Sequence, residues 1–180
     1  MAYKIINFLF QAIAVKQYLI FSGMFFLLTA FVMIVLNAQL MPPACPGMLP
    51  LELAFSSSVF GDIVGKCGAD GVKAHIVMIW VDYIFILGYA GFIANLLGSL
   101  VKHIDYNKAL MIFSIPVLAG VFDIFENTLL LIQLSDYETL KPGLILAAST
   151  AALIKFILIA ASIIAILYYL YVQLSGKETR

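Results

Sequence analysis

The stretch AGVFDIFENTLLL, residues 119–131, places two carboxylic acids and an amide inside a run of apolar residues. Asp123, Glu126 and Asn127 stand at positions i, i+3 and i+4, so a helix would carry them on one face. In an apolar setting the excess negative charge of two neighbouring carboxyl groups is most easily removed by protonating one of them. An acid beside a carboxylate suits general acid–base chemistry. We therefore take Asp123 and Glu126 as a candidate acid–base pair.

Other polar side chains interrupt the neighbouring apolar runs. Asp82 and Tyr89 are seven residues apart and would share one helix face, and Lys155 lies within the last run. A rise of 1.5 Å per residue from the ends of the runs places the four ionisable residues of these runs at overlapping depths. Charged side chains in membrane helices usually face the bundle interior. The sequence therefore predicts one polar pocket, with Asp82, Tyr89, Asn127 and Lys155 as binding residues around the acid–base pair.

A structural role and a metal site are the alternatives for these residues. A Lys–carboxylate pair can hold helices together without any chemistry, and an amide can bond across helices. A metal ion at Asp82, Asp123 and Glu126 would lack a histidine ligand, because His75 and His103 stand near the ends of their runs. Neither an aspartate-rich diphosphate motif nor an HExxH motif occurs. We predict no metal and no cofactor, and the structural role stays open.

The composition indicates an integral membrane protein. Of the 180 residues 64% are hydrophobic and 11% charged, and the mean hydropathy is +1.09, far from the values of a soluble domain. Four apolar runs, at about 18–41, 76–101, 110–134 and 144–174, are long enough to cross a hydrocarbon core of about 30 Å as helices. We predict an all-α fold with one transmembrane domain over residues 1–180. Short links between the later runs favour a four-helix up-down bundle.

The basic residues predict the orientation of this domain. If the N-terminus is inside, the inner flanks hold six of them and the outer flanks three: Lys4, Lys16, Lys102, Lys108, Lys177 and Arg180 against Lys66, Lys73 and Lys141. The positive-inside rule then predicts a multi-pass protein of the inner (plasma) membrane with both termini in the cytoplasm. Ten basic and ten acidic residues cancel, so no nucleic-acid partner is expected.

The outer loop, residues 42–75, contains both cysteines of the chain. Cys45 and Cys67 would lie on the extracytoplasmic side, where disulfides persist, so we predict a bridge between them. Two separate free thiols are the alternative. Pro50 suits the first position of a loop helix, which would continue through LELAFSSSVFGDIVGK and end at Gly68.

Three motifs carry a resemblance to known proteins. LELAFS in a loop, WVDYIFILGY at the start of a span and the later DIFEN resemble a group of uncharacterised bacterial four-helix integral membrane proteins, over about residues 51–160. That resemblance implies the fold and brings no activity with it. The general plan is also similar to the emopamil-binding and sigma-2 receptor group, small bundles that bind sterols or terpenes and hold acidic residues inside an apolar bundle.

These observations lead to a hypothesis about function. We expect an acidic intramembrane pocket that binds a lipid or isoprenoid-like ligand, with membrane lipids and a hydrophobic small molecule as partners. Whether the chain is an enzyme is left open, and proton transfer is the chemistry its residues would support. Two alternatives stay open: an accessory subunit of a membrane complex, bound to a partner membrane protein, and a small proton-coupled transporter working as a homo-oligomer.

Overall fold

The computed structural model of the chain describes residues 16–101 and 105–175, and these fold into helices with no strand among them. Helix α1 spans Lys16–Leu40, the short α2 spans Met48–Glu52 and α3 spans Ser57–Leu100. Helices α4 (Tyr106–Ser135) and α5 (Pro142–Leu174) follow. Of the residues used to predict the orientation, Lys4, Lys102, Lys177 and Arg180 lie outside the described part of the chain, as does His103.

Local capping explains where the helices begin. The Ser56 hydroxyl accepts a hydrogen bond from the Val59 amide at 3.3 Å at the start of α3. At the start of α4 the Asp105 carboxylate accepts from the amides of Asn107 and Lys108, at 3.0 and 3.4 Å. Helix α5 begins with Pro142, whose missing N–H costs nothing in the first turn.

The prediction of four long apolar helices is confirmed. Gln17–Leu40, Ser57–Leu100, Tyr106–Ser135 and Pro142–Leu174 are each long and apolar enough to cross a membrane. The second is much longer than the predicted span, because α3 already begins in the segment interpreted as the outer loop.

The continuous loop helix expected after Pro50 is wrong in its boundaries. The helix starts earlier, at Met48, and ends at Glu52. Phe55 then adopts a positive φ of 50°, and Ser56 turns extended to cap the next helix, so LELAFSSS cannot continue as one helix. Gly68 does mark a break, since it interrupts α3 with a φ of +62°, a conformation that glycine adopts without the strain of a side chain.

Helices α3, α4 and α5 pack against one another, and α2 covers one end of this group. A hydrophobic core lies beneath α2, and it includes the buried side chains of Leu51, Phe60, Ile79, Leu134 and Ile145. This core fixes α2 onto the three long helices, and so it determines what the polar end of α2 can reach.

Helix α1 packs mainly on α3. Gly88 of α3 allows the close approach, because a Cβ atom there would lie 2.7 Å from the Thr29 hydroxyl and 3.2 Å from the Phe26 backbone of α1. The ring of Phe26 also stacks on that of Phe92, with centroids 5.6 Å apart. Most of the remaining α1 surface is apolar, and Phe21 and Ile34 are among its exposed side chains.

Candidate functional site

The ammonium group of Lys155 lies at the centre of a buried cluster of carboxyl groups. Its Nζ atom is 2.8 Å from Asp123 Oδ1 and 2.7 Å from Glu126 Oε2, both of α4. A third oxygen, Oε2 of Glu52 on α2, lies 3.2 Å away. We call Lys155 and these three acids the lysine centre. The contact with Asp123 Oδ1 is a hydrogen bond, and those with Glu126 and Glu52 are ion-pair contacts.

Helix geometry explains how one lysine meets carboxyl groups from two directions. Asp123 and Glu126 are three residues apart and project from one face of α4 towards α5. Small buried residues of α5 on the same side, Ala148, Ala151 and Ala152, let the two helices pack closely. Glu52 reaches the same ammonium group from the end of the bundle.

Two further contacts extend the polar region onto α3. The Tyr89 hydroxyl donates a hydrogen bond to Asp123 Oδ2 at 2.8 Å, so both oxygens of Asp123 accept a bond. Asn127 donates from Nδ2 to Asp82 Oδ2 at 2.7 Å. The structure therefore brings together all six polar residues that the sequence singled out, in the lysine centre and its extension onto α3.

Glu52 is the member of the centre that the sequence interpretation missed. Its segment is predicted to be an outer loop, so the sequence does not place Glu52 among the charges of the membrane spans. One signal was present: Glu52 is the only charged residue between Met41 and Gly61. A lone acid in an apolar segment of that length calls for a buried partner.

The lysine centre carries more acid than base. Including Asp82, four buried carboxyl groups face one buried ammonium group. Such an excess is costly in a dry interior unless protons or a ligand neutralise it. Burial raises the pKa of the Glu52 carboxyl above its ordinary 4.5, and the positive charge of Lys155 only partly opposes this effect.

Three acceptor atoms at the site have no hydrogen-bond partner among the described residues. They are Oε1 and Oε2 of Glu126 and Oδ1 of Asn127, and both side chains are completely buried. Oε2 of Glu126 has the ion-pair contact with Lys155, whereas Oε1 has no such contact. Buried polar atoms normally have a partner, so these atoms indicate a place where a donor can bind. Glu126 therefore keeps one oxygen free to accept or release a proton, while Asp123 uses both of its oxygens.

A second group of metal-binding residue types lies near the start of α3. Donor atoms of Cys45, Cys67 and His75 are within 4.8 Å of one another. The predicted disulfide between Cys45 and Cys67 is confirmed, so neither sulfur is a free thiolate that could bind a metal. His75 donates from Nδ1 to the Gly71 carbonyl at 2.9 Å, which fixes its ring beside the disulfide.

An apolar groove of about 400 Å³ runs between α3 and α4. Its walls are apolar apart from Asn95, and no ionisable residue lines it. The small residues Gly91 and Gly120 contribute to its lining. At one end Ile86 lies three residues from Tyr89, and Ile124 follows Asp123 directly. This end of the groove is therefore within one helical turn of the Tyr89–Asp123 hydrogen bond along each helix.

Comparison with known proteins adds no identity to this geometry: no protein-family model, curated protein or solved structure matches the chain.

Proposed function

We propose that this chain is an integral membrane protein that binds an amphipathic lipid or isoprenoid-like ligand at the lysine centre. The observation that carries the proposal is the unpartnered Oε1 of the fully buried Glu126, beside Lys155 and next to a site that already holds excess carboxyl groups. A polar head with a hydrogen-bond donor would satisfy this oxygen. The tail would lie in the groove between α3 and α4, whose near end adjoins Asp123.

The chemistry available at the centre is proton transfer. Asp123 accepts hydrogen bonds from Lys155 and Tyr89, so both of its oxygens are already occupied by donors. Glu126 makes one contact through Oε2 and leaves Oε1 free, so it is the residue that would exchange a proton with a bound head group. Asp82 and Asn127 would hold the opposite side of the head group.

Membrane insertion and orientation belong to the same proposal. The four long helices expose large apolar side chains over their outer surfaces, among them Phe21, Leu87 and Leu167, which suits contact with lipid. The bias of basic residues supports cytoplasmic termini in the inner membrane, and the disulfide supports an extracytoplasmic position for α2.

A structural role is the second candidate, and one observation favours it. Lys155 connects α2, α4 and α5 through its three carboxyl contacts, so the centre would also serve a subunit whose only task is to hold its helices for a partner. The exposed apolar face of α1 would then meet that partner.

Native mass spectrometry of the detergent-purified protein separates the two candidates. We expect the wild type to retain a bound amphiphile and Glu126→Gln to lose it. Glu138→Gln is the matched control, because it makes the same change at an exposed residue between α4 and α5. Identical spectra for all three proteins, with no retained ligand, would favour the structural role.

A further inference from the structure

Residues 45–56, which include α2, contact the lysine centre from one end of the bundle. We call this segment the lid. Cys45 anchors its start to α3 through the disulfide, and at its other end the Phe55 amide donates to the Ser149 hydroxyl of α5 at 3.0 Å. Between these two anchors, Glu52 makes the contact with Lys155.

The Glu52 contact differs from the other two contacts of Lys155. At 3.2 Å it is the longest of the three, and the Glu52 side chain, 10% exposed, is the least buried of the three acids. Asp123 and Glu126 belong to a helix of 30 residues, whereas Glu52 ends a helix of five. Such a short helix has little stability of its own, so its position depends on the contacts it makes.

The backbone at the end of the lid is strained. Phe55 holds a φ of 50°, and it is the only described non-glycine residue with a positive φ. A side chain disfavours this backbone region, and such strain is found at switch regions. Movement of the lid would release it.

We propose that residues 45–56 form a movable lid over the lysine centre, and that the Glu52–Lys155 contact holds the lid closed. Opening breaks this contact, withdraws the buried side chain of Leu51 from the hydrophobic core and exposes Lys155 to solvent. The disulfide keeps the start of the lid attached to α3 while it moves. The inference does not depend on the identity of any ligand, since it concerns access to the centre.

Acetylation of lysine side chains by a water-soluble N-hydroxysuccinimide ester, followed by peptide mass spectrometry, tests the lid. The exposed Lys66 of α3 provides the internal standard in every sample. We expect Lys155 to react very slowly in the wild type and about tenfold faster, relative to Lys66, in Glu52→Ala, as expected for the loss of one buried polar contact to a charged group. Glu52→Gln keeps the side-chain length and an acceptor oxygen, so it should restore most of the protection.

Asp62→Ala is the matched control, because it removes an exposed carboxylate from the neighbouring first turns of α3. An unchanged ratio of Lys155 to Lys66 labelling in Glu52→Ala would overturn the proposal. Equal acceleration in Glu52→Ala, Glu52→Gln and Asp62→Ala would also overturn it, because that pattern indicates general loosening of the fold.

A second test compares the pH dependence of Lys155 labelling in the wild type and in Glu52→Gln. The charged groups that act on Glu52 are Lys155 of α5, Asp123 and Glu126 of α4, and Asp82 of α3. Burial raises the pKa of Glu52 in the closed lid, so the closed state binds the proton more tightly than the open state. Closure of the lid is therefore most favourable at pH values below 4.5, the ordinary pKa of the carboxyl group. It becomes less favourable as the pH rises through the raised pKa that Glu52 has in the closed lid.

The labelling ratio of Lys155 to Lys66 should therefore increase with pH in the wild type and increase less in Glu52→Gln. Parallel pH profiles for the two proteins would contradict control of the lid by Glu52.

Discussion

Replacement of Lys155 by methionine is the perturbation whose effect follows most directly from the geometry. The change keeps an unbranched, apolar side chain and removes the ammonium group that three carboxyl oxygens contact at 2.7, 2.8 and 3.2 Å. The side chains of Lys155 and Asp123 are each 5% exposed and that of Glu126 is not exposed at all, so water cannot take the place of the lost cation.

The magnitude comes from the cost of leaving a buried charge without its partner. Removing one partner of a buried pair typically lowers the free energy of unfolding by roughly 3–5 kcal/mol. Lys141→Met is the matched control, because Lys141 pairs with Asp136 at 3.1 Å but the two side chains are 45% and 48% exposed. Water screens an exposed pair of this kind, so it contributes much less than a buried pair.

The assay is reversible unfolding of the purified proteins in mixed micelles, followed by circular dichroism. Lys155→Met should lose several times more stability than Lys141→Met at neutral pH. The loss should shrink on acidification, because protonation removes the charge from the abandoned carboxylates. A loss for Lys155→Met no larger than that for Lys141→Met would refute the assignment of a buried charged centre.

Three further predictions use the same unfolding assay. Tyr89→Phe removes the hydrogen bond to a buried carboxylate and should lower the free energy of unfolding by about 1.5–3 kcal/mol. Its control, Tyr83→Phe, removes an exposed hydrogen bond to a hydroxyl and should lower it by less than about 1 kcal/mol. Equal losses would contradict the burial of the centre. Gly88→Ala should cost about 1–3 kcal/mol because its Cβ would clash with α1, and Gly91→Ala, with nothing within 4 Å, is the control that should show no such loss. Reducing the disulfide, whose cysteines are 22 residues apart, should lower stability by about 3 kcal/mol, and an unchanged transition would show that the lid needs no anchor.

Part of the site could be predicted from the sequence because helical periodicity is a local property. The spacing of Asp123, Glu126 and Asn127 puts them on one face in any regular helix, and the structure keeps that face towards its polar partners. The depth of each residue below the end of its span also predicts that Lys155 lies near the acids, because the rise per residue of a helix is fixed.

The missing parts depend on tertiary packing. Glu52 joins the centre only because Leu51 and its neighbours dock α2 on the hydrophobic core, and no periodicity in the sequence encodes that docking. The break at Phe55 was missed because the residue adopts a conformation that its type disfavours. Helix α1 lies at the periphery because one of its faces fits α3 around Gly88. An apolar composition alone does not predict whether such a helix packs on one helix or on several.

An experimental structure of the protein extracted with its native lipids, solved from crystals grown in a lipidic phase, tests the central claim most directly. The account predicts density for an amphiphile whose polar head lies within hydrogen-bond distance of Glu126 Oε1 and whose tail follows the groove between α3 and α4. A centre filled by side chains alone, with no ligand density beside Glu126, would contradict it and leave the acids and Lys155 as structural contacts between helices.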